Sequence, residues 1–306
     1  MKKWLPVLLA VALVPAAGAA TVRGVTAPGP VIALAADGSR VAYAAGRSAH
    51  DCNRVYIWSL GSRAVTKLGR RTHCEQTSTG NSIASLALAG ERALWLHYVG
   101  GNTRDWSLWT ATASRRVPVR LRAVSTEADA RPPIVVGPGT TVGGDSLLPY
   151  AVGKSVVALR ENGRRAFTYE ARAAVVALAA GPQRLAVATE GGSVTVLDAH
   201  GKVVGVETFA GEIDAVRVDR LRVVVQRGRT LEARGSSLRR TWPLPARARL
   251  EDLGTNRIVY VAAGRAYRIA VGTGEQRQVG TATLAQAEGA QLFLASGRRV
   301  SLTRFP

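Results

Sequence analysis

Between residues 32 and 68 the chain alternates four short apolar runs with turn residues, and no other feature limits its possible folds so sharply. Ile32-Ala33-Leu34-Ala35-Ala36 meets the tight-turn pair Asp37-Gly38, and Val41-Ala42-Tyr43-Ala44-Ala45 follows. Val55-Tyr56-Ile57-Trp58-Ser59-Leu60 and Ala64-Val65-Thr66-Lys67-Leu68 complete the unit. Four short strands joined by turns over this length match one blade of a β-propeller.

The unit recurs. A polar residue preceding an apolar run marks the second strand of each copy: Arg40-Val41, Arg92-Ala93, Ser146-Leu147, Arg184-Leu185, Arg220-Leu221, Arg257-Ile258 and Gln291-Leu292. The spacings are 52, 54, 38, 36, 37 and 34 residues. The last four cluster near the length that four strands and four turns need. Seven anchors predict an all-β, seven-bladed propeller of four-stranded antiparallel blades. The last unit offers only three strands, 284–287, 292–295 and 300–304, so the segment 21–27 is expected to supply the fourth and close the ring. No stretch of the proposed mature chain shows a capped helical period. The third unit is the least regular, because 138–145 is Gly-rich.

The segments Ala36-Asp37-Gly38-Ser39-Arg40-Val41-Ala42-Tyr43 and Val55-Tyr56-Ile57-Trp58-Ser59-Leu60 resemble the WD40-like (PD40-type) repeat of the TolB propeller family. The usual Pro before Asp-Gly is missing. The resemblance covers about one blade and implies a secreted propeller platform. Val194-Thr195-Val196-Leu197-Asp198 is more similar to the general WD or quinoprotein-type repeat.

Residues 1–20 read as a signal peptide, leaving 21–306 as a single propeller domain. Lys2 and Lys3 give a charged start, residues 5–14 a short apolar core, and Ala17-Gly18-Ala19 a small-residue cleavage pattern. The expected location is extracellular or periplasmic, with no transmembrane segment after cleavage. Cys52 and Cys74, the two cysteines, then form a disulfide. The formal charge is +20, and 36 of the 41 basic residues are Arg. Such a surface favours anionic partners, or it is a solubilising charge spread over every blade.

The first two intervals exceed the basal repeat. The excess is expected in four loops, 46–54, 69–81, 100–105 and 123–133. Strand direction alternates, so all four emerge on one face over the first two blades. Long loops on a rigid scaffold are where binding resides. The expected partner-binding residues are His50, Asp51, Arg54, His73, Glu75, Arg104 and Asp105, all polar and carried by these insertions. His50-Asp51-Cys52 and His73-Cys74-Glu75 also have the residue types of a zinc site, but the secretory setting favours the disulfide. Gly144-Asp145-Ser146-Leu147 matches the opening motif of the GDSL hydrolases. That chemistry needs a strand-to-helix turn and a late Asp-x-x-His, whereas here strand continues and no His follows His200. His97, Trp106 and Trp109 lie in a strand pair and read as core, with Trp106 placed to serve as a ligand platform at the loop edge. The segment 217–249 holds ten Arg and two acids, which strand alternation splits between faces.

Two functions remain. One is a non-enzymatic, monomeric platform for an extracellular or envelope protein, peptide or glycan, anionic in one version, with no cofactor. The other is a secreted propeller enzyme, lactonase- or lyase-like, needing convergent acids or a metal at the channel mouth. Nucleic acid is not expected, because Trp242 is the lone aromatic residue in the basic stretch.

Overall fold

The computed structural model describes residues 23–46, 54–69, 80–142, 145–236 and 238–305. Their strands form seven antiparallel sheets with no helix among the described residues. Blade four shows the plan. Its innermost strand is Val175–Gly181, followed outward by Arg184–Thr189, Ser193–Asp198 and Val203–Thr208. The inner strands are almost wholly buried and the outer strand is mostly exposed. Small residues such as Ala177, Ala179, Ala186 and Ala188 fill the crowded region near the axis. Each strand lies beside its sequence neighbour, so register follows from short turns.

The core is seven clusters, one for each blade–blade seam. Ala42, Ile57, Leu88 and Trp95 belong to the seam between blades one and two. Tyr43, Trp58, Phe293 and Val300 join blade seven to blade one. The strand Arg23–Thr26 pairs with Arg299–Arg304, matching Arg23 with Leu302 and Thr26 with Arg299. The ring is therefore closed by the early strand, as the short last unit demanded.

Three local readings need correction. In blade five the second strand begins at Arg222 and not at Leu221, directly after the Arg220 anchor. Asp219 Oδ1 accepts the N–H groups of Leu221 and Arg222, each at 2.7 Å, and holds Arg220 in the turn. In blade three the inner strand is split into Ile134–Val136 and Thr140–Val142. Gly137 and Gly139 cause the break. A Cβ on Gly137 would stand 2.6 Å from Leu178 O, and one on Gly139 2.4 Å from Leu88 O. The backbone passes there between the inner strands of its two neighbours.

The third correction concerns blade two. The segment 100–105 is mainly strand, and 123–127 extends the outer strand, leaving 128–133 as the loop. Arg92–Gly100, Thr103–Thr112 and Val119–Glu127 are strands of nine or ten residues, joined above by the turn Gly101-Asn102. Second strands in blades one and four to seven have six residues. Arg92 opens its strand at the same level as Arg40, so the three extra residues rise from one end. The second strand of blade two thus reaches about 10 Å further than those of blades four to seven at ~3.3 Å per residue, while that of blade three, Asp145–Val152, has eight residues. The face that blade two rises from is called the upper face below. It carries the links between second and third strands and between successive blades.

Candidate functional site

The site was expected on the upper face, over blades one and two. His50, Asp51, His73 and Glu75 lie outside the described residues, as do Cys52 and Cys74. The strand ends on either side of those two segments are described. Ala45 and Arg54 form a cross-strand pair in blade one. Leu68 N donates to Val55 O at 2.8 Å, and Asn81 opens the inner strand of blade two. All of these ends are on the upper face, beside the tall blade.

Arg54 is half-buried at the first position of its strand. Arg104 and Asp105 sit in the raised part of blade two. They are consecutive strand residues and so project from opposite faces of the sheet. The Arg104 guanidinium lies over the Tyr98 ring, 5.1 Å from its centroid. Tyr98 and Trp106 pack at 5.1 Å, and Trp106 Nε1 donates to Thr126 Oγ1 at 2.9 Å. Asp105, on the other face, accepts from Ser125 Oγ at 2.5 Å. The structure thus brings Arg104 and Asp105 to one ridge but gives them separate surfaces. Trp106 is buried in the seam with blade three and is not a ligand platform.

His97 is on the Asp105 side of blade two. Its Nε2 and Asn81 Oδ1 are 2.5 Å apart, with the ring as donor. Burial lowers its pKa to about 4, so the ring is neutral at pH 7. The Gly144-Asp145-Ser146-Leu147 motif is structural. Ser146 is buried in a strand and its Oγ accepts from Glu161 N at 2.5 Å, while Asp145 accepts from Arg160 at 2.7 Å.

The axial channel opens beside these elements. A cavity of about 510 Å³ at the upper mouth is lined by Ser85, Arg131, Pro133, Ile134, Glu190 and Asp214 among others. Arg131 pairs with Glu212 at 2.9 Å across the mouth. Sequence reasoning missed Arg131, Glu190 and Asp214. Arg131-Pro132-Pro133, inside the expected insertion, was the available signal, since two prolines stiffen a connection.

The lower mouth holds a cavity of about 520 Å³, lined by Thr140, Arg217, Asp219, Asp252, Gln286 and Glu288 among others. Here the ring gathers acids that are far apart in sequence. They recur because Asp37, Asp252 and Glu288 lie at or near the end of inner strands. Asp37 accepts from Gly90 N at 2.5 Å and Thr141 N at 2.9 Å. Asp252 accepts from Ala287 N at 2.6 Å and Leu253 N at 2.7 Å. Burial raises both carboxyls, and Arg217 opposes the rise at Asp252. Burial, then Asp37 and Asp252, push Glu288 up to about 7, while Gly38 N donates to it. These carboxylates tie hairpins of neighbouring blades together and have their oxygens turned to backbone donors. Among the described residues no group of three or more His, Cys, Asp or Glu is placed to hold a metal ion.

The arginines of 217–249 are dispersed, as strand alternation required. Arg217 Nε donates inward to Glu251 O at 2.8 Å, Arg222 reaches Thr255 O, and Arg227 and Arg234 both pair with Glu232.

No family model and no curated protein matches the chain. Solved structures do match in shape. A chain of the Mitotic Checkpoint Complex aligns over 98% of this chain and 100% of its own, at 15% identity and TM-score 0.58. Saccharomyces cerevisiae Sqt1 aligns over 94% and 100%, at 11% identity and TM-score 0.53. Chaetomium thermophilum Raptor aligns over 94% of this chain and 29% of its own, at 12% identity and TM-score 0.56. At these identities the likeness establishes the fold alone: a WD40-like, seven-bladed propeller.

Proposed function

We propose that this chain is an exported, non-enzymatic binding platform whose upper face takes a protein, peptide or glycan of the cell envelope or exterior. The tall second blade carries the reading. A strand ridge about 10 Å higher than the second strands of blades four to seven stands beside an open channel mouth and gives a ligand a wall to lie against. Arg54, Arg104 and Asp105 border it, and the segments bearing His50, Asp51, His73 and Glu75 join strand ends next to it. The charged and apolar pattern of residues 1–20 supports export, and export supports a Cys52–Cys74 disulfide. The TolB-type likeness of 36–43 and 55–60 agrees with an envelope setting. A structural neighbour that is a chain of the Mitotic Checkpoint Complex agrees with binding rather than chemistry. The engaged carboxylates of the lower mouth lend the enzyme reading no support.

The test uses secreted full-length protein and partners recovered from the producing cell's envelope fraction. Alanine at Arg104 and Asp105 together should weaken capture at least tenfold without changing the melting temperature by more than a few degrees. Replacing Cys52 and Cys74 by Ser should weaken it likewise. Capture that survives both sets and is lost on changing Arg247 and Arg265, on the same face over blades five and six, would move the site.

A further inference from the structure

Every propeller blade leaves the outer edge of its last strand unpaired, a row of backbone donors and acceptors open to another strand. Charged side chains are the usual guard. Six of the seven outer strands here carry one or more basic residues: Arg23, Lys67, Arg120 and Arg122, Arg165, Arg239 and Arg240, and Arg277. The outer strand of blade four, Val203–Thr208, carries none. In a chain of formal charge +20 that gap is unusual. The strand is also the most apolar of the seven edges. Val203, Val204 and Val206 are 44%, 52% and 59% exposed.

We propose that this edge pairs antiparallel with the same edge of a second copy of the chain, about a two-fold axis through Gly205. The strand is self-complementary in that arrangement. Val204 of each copy faces Val206 of the other, and cross-strand β-branched pairs are favourable. Glu207, the one charged residue of the strand, pairs with Arg234 of its own chain at 3.6 Å, and in this register it faces Val203 of the other copy, so no like charges are set opposite each other. The small Gly205 at the axis lets the backbones approach. The other six edges, paired with themselves, would set Arg or Lys close to its own copy. Two strongly basic molecules therefore meet with least repulsion at blade four. An edge of six residues is a small contact, so the equilibrium is weak and concentration-dependent.

The test is sedimentation velocity of the full chain from roughly 1 to roughly 200 μM, a range that spans a weak homodimer. Wild type should shift from monomer to dimer. Val206→Lys should stay monomeric throughout, with unchanged circular dichroism, because the position is exposed. A second variant reads the register. A Cβ at Gly205 would meet only Val196 Cβ, at 4.0 Å, so Gly205→Cys is tolerated. Antiparallel partners across the axis lie within disulfide reach. Mild oxidation should give a covalent dimer of Gly205→Cys well above wild type. Val117→Cys, at a position 58% exposed elsewhere, should not exceed that background. A chain monomeric at every concentration, a dimer that survives Val206→Lys, or equal cross-linking of the two cysteine variants would overturn the proposal. So would an edge occupied only by a strand of another protein.

Discussion

Arg40, Arg92, Arg222 and Arg257 open the second strands of their blades, and each reaches the hairpin of the next. Arg40 pairs with Glu91, Arg92 donates to Glu161 O, Arg222 to Thr255 O and Arg257 to Gly289 O. An arginine at that place satisfies a turn carbonyl that the neighbour's own strand cannot reach. At Arg40, Arg92 and Arg257 the polar residue that serves as a ruler in the sequence thus has a structural cause, and part of the basic charge is consumed in seams. The acids at the same level respond to pH. Glu288 has a folded pKa of about 7 against an unfolded value near 4.5. Between those values the native state holds a proton that the unfolded state lacks, so stability falls as pH rises through the window. Glu288→Gln keeps an acceptor for Gly38 N and should raise the melting temperature at pH 8, with the gain shrinking toward pH 5. His97 has the opposite sign. Its folded pKa of about 4 lies below the unfolded 6.5, so stability is lost as pH falls from 6.5 to 4. His97→Gln should flatten the acid limb of a melting profile. An unchanged slope there would show that the ring is solvated in the native state.

The strands of blade four were legible in sequence to within about three residues at each end, because alternation, Asp-x-x-Gly turns and a Gly-Gly hairpin all agree there. Blade three was not, since the Gly-Pro-Gly of 137–139 has no strand propensity and its reason is tertiary. Only the approach of Leu88 and Leu178 backbones explains why glycine stands at both places. Gly139→Ala should cost about 1–3 kcal/mol in urea unfolding, as overpacking against rigid backbone does. A loss under half a kilocalorie would mean that the inner strand shifts to make room. The raised part of blade two was misread for a related reason. Gly100-Gly101-Asn102 reads as loop, yet a two-residue turn needs nothing more, and Tyr98, Trp106 and Val124 on one sheet face extend the seam upward. The segment 100–105 was therefore placed at the right end of blade two, but it is built on strand and not on loop. That is also why Arg104 and Asp105, adjacent in sequence, do not act on one surface.

At the scale of the whole molecule, seven seams of similar kind give the ring its stiffness, and one of them differs in how it is made. The seam between blades seven and one depends on Arg23–Thr26 pairing with a strand some 275 residues later. Deleting 23–26 should leave six seams intact, expose the edge of Arg299–Arg304, and lower the melting temperature with aggregation on heating. A truncated chain with wild-type melting and solubility would show that three strands suffice for blade seven. The closure also imposes an order in time. During synthesis the early strand waits for its partner, and at roughly 5–20 residues per second that wait is on the order of tens of seconds. Through it the faces of Tyr43 and Trp58, later sealed against Phe293 and Val300, have no cover. A nascent chain of this design is complete in every blade but the last and still open as a ring until Arg299–Arg304 has emerged.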